Sequence, residues 1–150
     1  MTTPTLRPAV PGDAAAMARI KNRWIDETAW MPRVHPAEDV ERHYREMVIA
    51  DRPVTVAECA GQVTGYLAVD PGERFITSLF IDADRRGTGI GKRLLDFAKD
   101  GYPSGLWLWT FVANTQAQRF YLREGFAEVR RSDGDNEEGL PDILYQWPGD

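Results

Sequence analysis

The sequence predicts a single α/β domain, a mixed β-sheet with helices on both faces, and three observations lead to this prediction. The chain has 150 residues, 43% hydrophobic and 27% charged, which is enough for one domain with a buried core. Runs of β-branched and aromatic residues alternate with segments whose apolar residues recur every three to four positions. There is no internal repeat and no linker, so we expect one domain over residues 1–150.

The first half of the chain begins with a short strand followed by two helices and a hairpin. Residues 5–10 (TLRPAV) predict the strand, and the first helix follows a Pro-Gly turn with Asp13 as its expected N-cap. A second helix over 37–50 has apolar residues on one face and acidic residues in its first turn. The runs at 53–59 and 63–70 are rich in β-branched residues and predict a hairpin.

The second half alternates strands and helices. It comprises a strand at 73–82, a helix from the glycine-rich stretch to about Asp100, a strand at 105–111, a helix at 114–125, and closing strands at 126–131 and 142–147. An acidic loop joins the two closing strands. Strands interrupted by helices in this order predict a mixed sheet with helices on both faces.

Composition disfavours several classes of function. The net charge of −5 and the pI of about 5.1 repel nucleic acids and anionic lipid surfaces. Cys59 is the single cysteine, and only two histidines accompany it, so we expect neither a disulfide nor a metal site. No run of about 18 apolar residues and no signal-peptide core is found. These features predict a cytoplasmic protein without nucleic-acid or membrane partners.

The stretch RRGTGIG (residues 85–91) lies between a predicted strand and a predicted helix. The first turn of a helix has free N–H groups and a partial positive charge, and glycine lets an anion approach the backbone closely. Arg85, Arg86 and Lys92 add positive charge at the same turn. A glycine-rich loop that simply turns the chain is the alternative, but the combination is typical of phosphate binding.

Spacing separates the nucleotide-binding motifs. A mononucleotide P-loop is excluded because Arg93 stands where Ser or Thr is required and Arg86 stands where the first glycine is required. A dinucleotide fingerprint is excluded because Gly87, Gly89 and Gly91 are spaced two and two. The remaining pattern is Arg-x-x-Gly-x-Gly.

At these residues the sequence resembles the GNAT superfamily of acetyl-CoA-dependent N-acyltransferases. The family's pyrophosphate loop, Gln/Arg-x-x-Gly-x-Gly/Ala, is similar to residues 85–91. A second block at 114–126 (NTQAQRFYLREGF) resembles the family's Asn-x-x-Ala-x-x-Phe-Tyr-x-x-x-Gly-Phe, and the element order agrees over nearly the whole chain. The resemblance implies a mostly antiparallel, splayed sheet of six to seven strands with about four helices, and an N-acetyltransferase that uses acetyl-CoA.

The resemblance also assigns residues to CoA. The backbone at the end of the strand before the loop would pair with the pantetheine arm, and the loop N–H groups would hold the pyrophosphate. Asn114 would bond the pantetheine amide in addition to capping its helix. The residues expected to bind the cofactor are Leu79, Phe80, Ile81, Arg86, Gly87, Thr88, Gly89, Ile90, Gly91, Lys92 and Asn114.

Tyr121 matches the family tyrosine that protonates the departing CoA thiolate, with a core aromatic as its alternative role. The implied mechanism is direct attack of a neutral amine on the thioester, whose carbonyl the N–H of Ile81 would polarise. Some family members have a carboxylate base six residues before that position, but here the residue is Phe75. The base is therefore water or another group, with candidates His35, Glu73 and Asp26.

An aromatic wall is expected at the acceptor site. Alternation over 105–111 places Trp107, Trp109 and Phe111 on one face of a strand. We expect Trp30, Trp109 and His35 at the acceptor pocket. The acidic loop either attracts an ammonium substrate or is simply solvated.

The predicted acceptor is the primary amine of a small molecule, with a protein terminus or lysine as the less favoured acceptor. A non-catalytic acyl-CoA-binding module is the alternative function. The family resemblance leaves a homodimer open.

Overall fold

The computed structural model describes residues 3–150 as a seven-stranded sheet with helices on both faces. The strands are β1 (Thr5–Pro8), β2 (Val54–Cys59), β3 (Gln62–Asp70), β4 (Phe75–Ile81), β5 (Leu106–Phe111), β6 (Ala127–Ser132) and β7 (Asp142–Trp147). Their spatial order is β1-β2-β3-β4-β5-β7-β6. The predicted fold class is confirmed.

Four helices accompany the sheet. They are α1 (Ala14–Glu27), α2 (residues 37–51), α3 (Ile90–Gly101) and α4 (Thr115–Arg123). A 3-10 turn at Pro11–Asp13 precedes α1. Helix α2 starts as Ala37–His43 and continues through a π-helical turn at Tyr44–Val48 to Ile49–Asp51. The sequence predicted α2 as one regular helix and gave no sign of the π-helical turn. Within residues 3–150, no helix is long and apolar enough to cross a membrane.

Two hydrophobic layers hold the helices to the sheet. Met17 and Ile20 of α1 pack with Val40 and Tyr44 of α2 on one face. The other face is covered by α3 and α4; its core includes Leu94, Leu95, Leu106, Tyr121, Ile143 and Cys59. The Cys59 thiol is buried there and accepts a hydrogen bond from Thr64, which agrees with a structural role.

The start of α1 differs in one detail from the prediction. Asp13 directly precedes the helix as expected, but its carboxylate makes no capping bond to the helix. It accepts instead from the N–H of Val10 at 2.8 Å and from Arg7 at 2.8 and 3.0 Å. The 3-10 turn before the helix places the carboxylate beside β1, so Asp13 joins β1 to α1.

The junction of β4 and β5 positions the functional site. These strands are the parallel neighbours in the sheet, and Phe75 with Trp107 is their one register pair within residues 3–150. Beyond this pair the strands diverge, and β5 pairs on its other side with β7 along its whole length. A cleft therefore opens between β4 and β5, as the resemblance implied.

Candidate active site

The cleft between β4 and β5 has a volume of about 1170 Å³. Its walls come from β4, β5, the glycine-rich loop before α3, the helix α4, and the end of α1 with the residues that follow it. Of the predicted site residues, all but Thr88 and His35 line this cleft. Residues from five separate parts of the chain thus meet at one place.

The backbone of β4 faces the cleft with unpaired polar groups. The N–H of Asp82 donates to the carbonyl of Thr64 on β3 at 2.8 Å. Two residues before Asp82, Phe80 is the register partner of Tyr66 on β3. Hydrogen-bonded and non-bonded pairs alternate in an antiparallel ladder. Leu79 and Ile81 therefore direct their N–H and C=O groups away from β3, toward the space that β5 has left.

The glycine-rich loop reaches the start of α3 through left-handed backbone. Gly87 has φ of +78° and Gly89, the N-cap of α3, has φ of +87°, a region that disfavours residues with a Cβ. No side chain caps α3, so its first-turn N–H groups remain free for an anion. Thr88 turns its hydroxyl back to the carbonyl of Arg85 at 2.5 Å, which explains why it does not line the cleft.

Asn114 stands at the start of α4 and lines the cleft. Its Oδ1 accepts from the N–H of Ala117 at 3.1 Å, so the predicted N-cap is confirmed. The capping bond uses the side-chain oxygen and leaves the Nδ2 donor for a ligand. Asn114 can therefore fill both roles that the sequence suggested.

Tyr121 lies on α4 with only 8% of its surface exposed, and it lines the cleft. Its ring packs edge-on against Phe120 and Phe126, with centroid distances of 5.2 and 5.5 Å. Burial raises the pKa of its phenol well above the ordinary value. The hydroxyl is therefore protonated at neutral pH.

No sequence motif predicted the buried carboxylate of Glu124. It lines the cleft at the end of α4 and accepts from Lys92 Nζ of α3 at 3.0 Å. Asp96 also pairs with Lys92, at 3.3 Å. These carboxylates raise the pKa of Lys92 and balance its positive charge.

The aromatic wall expected on the acceptor side is assembled from four elements. Trp24 lies 5.8 Å from Trp30 and 5.4 Å from Phe80, and Trp30 lies 5.8 Å from Phe111, measured between ring centroids. All four line the cleft, together with Trp109. The alternation predicted for β5 is confirmed, since Leu106, Leu108 and Thr110 are buried on the opposite face.

A smaller cavity of about 340 Å³ adjoins Trp109 and Phe111. Asp135, Glu138 and Asp142 line it, and the guanidinium of Arg130 stacks over Trp109 at 5.0 Å. Asp142 is buried and bonded to Asn136 and Ser132, so it orders the acidic loop.

Three sequence-based base candidates do not reach the cleft. His35 is exposed and contacts Glu137 at 3.1 Å, outside the predicted acceptor pocket. Asp26 is exposed and pairs with Arg33, and Glu73 is exposed before β4. The carboxylate that does line the cleft at the end of α1 is Glu27, which pairs with Arg23 at 2.9 Å.

Comparison with known proteins decides the family. Residues 50–128 match the family model described as "Acetyltransferase (GNAT) domain". The chain belongs to the GNAT acetyltransferase family. The prediction of an acetyl-CoA-dependent N-acetyltransferase is thereby confirmed at the level of the enzyme class.

Relatives agree with this assignment. The peptidyl-lysine N-acetyltransferase YiaC of Escherichia coli is 27% identical over 128 residues, which cover 83% of this chain and 86% of YiaC. The solution structure of apo YjaB from Escherichia coli has a TM-score of 0.78 at 25% identity, covering 98% of this chain and 99% of YjaB. The yncA structure from Salmonella typhimurium, solved with its cofactor acetyl-CoA, has a TM-score of 0.75 at 23% identity. The alignment covers 99% of this chain and 95% of yncA.

Proposed function

We propose that this GNAT protein transfers the acetyl group of acetyl-CoA to the primary amine of a small molecule in the cleft between β4 and β5. The observation that carries the proposal is the divergence of these strands after Phe75 and Trp107. It places unpaired β4 N–H groups, the glycine-rich loop and Tyr121 around one space.

On the donor side, three features fit CoA. The free N–H groups at the start of α3 suit the pyrophosphate, since helix N-termini bind anions. The exposed backbone edge of β4 at Leu79 and Ile81 suits the amides of pantetheine, which would pair with it like a strand. Asn114 has a free amide donor for the same arm.

The chemistry needs no covalent enzyme intermediate. A neutral amine attacks the thioester carbonyl carbon, and the N–H of Ile81 stabilises the oxyanion that forms. The C–N bond forms, the C–S bond breaks, and Tyr121 gives its proton to the departing thiolate. The proton that the amine nitrogen loses passes to Glu27 through solvent and returns to the Tyr121 phenolate, and the products are the N-acetylated acceptor and free CoA.

The acceptor side favours an amine with an apolar or flat body. Trp24, Trp30, Phe80 and Phe111 provide aromatic surface within contact of one another. Aromatic faces bind both apolar groups and cations. Glu27 adds one negative charge where an ammonium would enter.

Acetylation of a lysine side chain in a protein is the second candidate. The observation that favours it is the similarity to YiaC, which is named a peptidyl-lysine N-acetyltransferase. A lysine side chain is itself a primary amine on an apolar stem, so the same aromatic wall would accommodate it.

Amine-dependent thiol release from acetyl-CoA distinguishes these acceptors. The panel contains free amino acids, polyamines, aminoglycosides and short lysine peptides whose N-terminus is blocked. A kcat/KM at least about tenfold higher for a small amine than for every peptide supports the proposal. The reverse order favours the lysine acceptor, and release no faster than hydrolysis without amine contradicts both.

A further inference from the structure

Lys21, on α1, lies beside the aromatic wall without an anionic partner. Its Nζ is 5.7 Å from the ring centroid of Tyr44 and 5.9 Å from that of Phe80. Among residues 3–150, no carboxylate forms an ion pair with it and no hydrogen bond to it is made. Burial lowers its pKa, since the charged form is poorly solvated at this position.

Three other basic side chains are arranged differently. Arg7, Arg23 and Lys92 each contact two or more carboxylates. A half-buried ammonium without such a partner loses solvation free energy, which only the rings of Tyr44 and Phe80 and the more distant Glu137 and Glu138 offset in part. The chain has a net charge of −5 and therefore many carboxylates, but among residues 3–150 none forms an ion pair with Lys21.

Two other basic side chains, His43 and Arg52, lie near Lys21, and Arg52 also pairs with Asp51 at 3.3 Å. The charges of Lys21 and Arg52 both lower the pKa of His43, so the three groups lie within electrostatic reach of one another. The Nε of Arg52 is buried and has no hydrogen-bond partner. The carboxylates that face Lys21 are those of Glu137 and Glu138 in the acidic loop, which act on it through space without contact.

Phe80 connects this region to the cleft. The Phe80 ring contacts Lys21 on one side and Trp24 on another, and both aromatic rings line the cleft. Phe80 is also the residue between Leu79 and Ile81, whose N–H groups face the site of acetyl transfer. An acceptor whose amine reaches Ile81 along the Phe80 ring would bring its other end toward Lys21.

We propose that Lys21 binds a carboxylate of the acceptor, so that the enzyme prefers amines that carry a carboxylate, such as free amino acids, over the same amines without one. The proposal rests on the proposed function, since it assumes a small-molecule amine acceptor. Charge-assisted hydrogen bonding from the ammonium to the carboxylate would supply the preference.

Matched acceptor pairs test this proposal. Phenylalanine is compared with phenethylamine, and lysine with 1,5-diaminopentane, by amine-dependent thiol release with acetyl-CoA. For the wild type we expect kcat/KM to be about 10- to 100-fold higher for the member with the carboxylate, which is the scale of one charged hydrogen bond. In Lys21→Met this ratio should fall to about one, while Lys21→Arg should keep part of it.

Lys99→Met is the matched control. Like Lys21, Lys99 lies over aromatic rings and is not itself part of the cleft lining, but its rings, Phe126 and Trp147, do not line the cleft, whereas Phe80 does. This variant should retain the wild-type ratio, and thermal unfolding verifies that each variant is folded. If Lys21→Met fails to fold, two measurements replace it. The first is the kcat/KM ratio of each acceptor pair in Lys21→Arg. The second is inhibition of the wild type by 3-phenylpropionate, which has the carboxylate but no amine.

The outcomes separate the two proposals. A ratio that is the same in wild type and Lys21→Met, or a wild-type ratio near one, overturns the role of Lys21 and leaves the proposed function standing. Absence of inhibition by 3-phenylpropionate likewise overturns it. If neither member of any pair is acetylated while another small amine of the panel is, the preference for a carboxylate is overturned and the proposed function stands. If no small amine of the panel is acetylated, the small-molecule acceptor itself is contradicted, and the inference about Lys21 falls with it.

Discussion

Phe75 on β4 and Trp107 on β5 form the register pair at which two parallel strands meet before they separate. The N–H of Trp107 also donates to the carbonyl of Arg74 at 3.0 Å, directly beside this pair. Every later residue of β4 has β3 on one side and the cleft on the other. The position at which some family members have a carboxylate base is thus the closed end of the cleft, and here it is filled by a phenylalanine.

Amide hydrogen exchange along β4 should alternate. The N–H groups of Phe80 and Asp82 bond to β3, while those of Leu79 and Ile81 face the cleft. In the free protein, residue-resolved exchange measured by NMR should be at least about tenfold faster at the amides of Leu79 and Ile81 than at those of Phe80 and Asp82. Acetyl-CoA should slow both by a similar factor. Equal protection of all four amides, or no change on adding acetyl-CoA, would show that β4 does not bind the pantetheine arm.

Gly89→Val should weaken acetyl-CoA binding about 100-fold or more. The position has φ of +87°, which a β-branched residue adopts only with strain, and the loop must change to relieve it. Gly61→Val is the control, because Gly61 has φ of +78° in the β2–β3 turn, outside the cleft, with open space around it. Isothermal calorimetry that gives the two variants the same affinity for acetyl-CoA would refute the role of the loop.

Glu27→Gln should lower kcat/KM about tenfold near neutral pH. Glu27 lines the cleft where the amine would enter, and its carboxylate can both attract an ammonium and accept its proton through solvent. The loss should shrink as the pH rises, because the amine then arrives already neutral. Glu73→Gln changes an exposed carboxylate outside the cleft and should have no effect. A Glu27→Gln loss that is constant with pH would argue against deprotonation of the incoming ammonium by Glu27.

Asp13→Asn should lower the free energy of unfolding by about 1–2 kcal/mol at pH 7. The bonds from Arg7 hold the pKa of the Asp13 carboxyl below its ordinary value. Because the folded state favours the charged form, this stabilisation is complete above pH of about 4 and is lost as the pH falls through the folded pKa. Urea unfolding at pH 7 and pH 3 should therefore show the difference between wild type and variant shrinking at low pH. Asp51→Asn, at an exposed ion pair, should change stability little.

The sequence predicted the elements, the glycine-rich loop and the cap of α4 well, because these depend on local patterns. The loop from Arg85 to Gly91 and the cap at Asn114 are each determined within a few residues of chain. The acceptor side that we propose depends on contacts between distant segments. Glu27, Glu124 and Lys21 carry no local motif, and only folding places them against β4, α3 and Phe80. For the same reason His35, near the aromatic residues in sequence, lies outside the cleft.

The kcat of Tyr121→Phe tests the central claim most directly. The variant keeps the ring that packs against Phe120 and Phe126 and removes only the hydroxyl. Amine-dependent thiol release should show kcat lowered about 100-fold or more, while calorimetry gives an affinity for acetyl-CoA within about threefold of the wild type. A kcat equal to that of the wild type would contradict proton donation by Tyr121 and, with it, the mechanism assigned to this cleft.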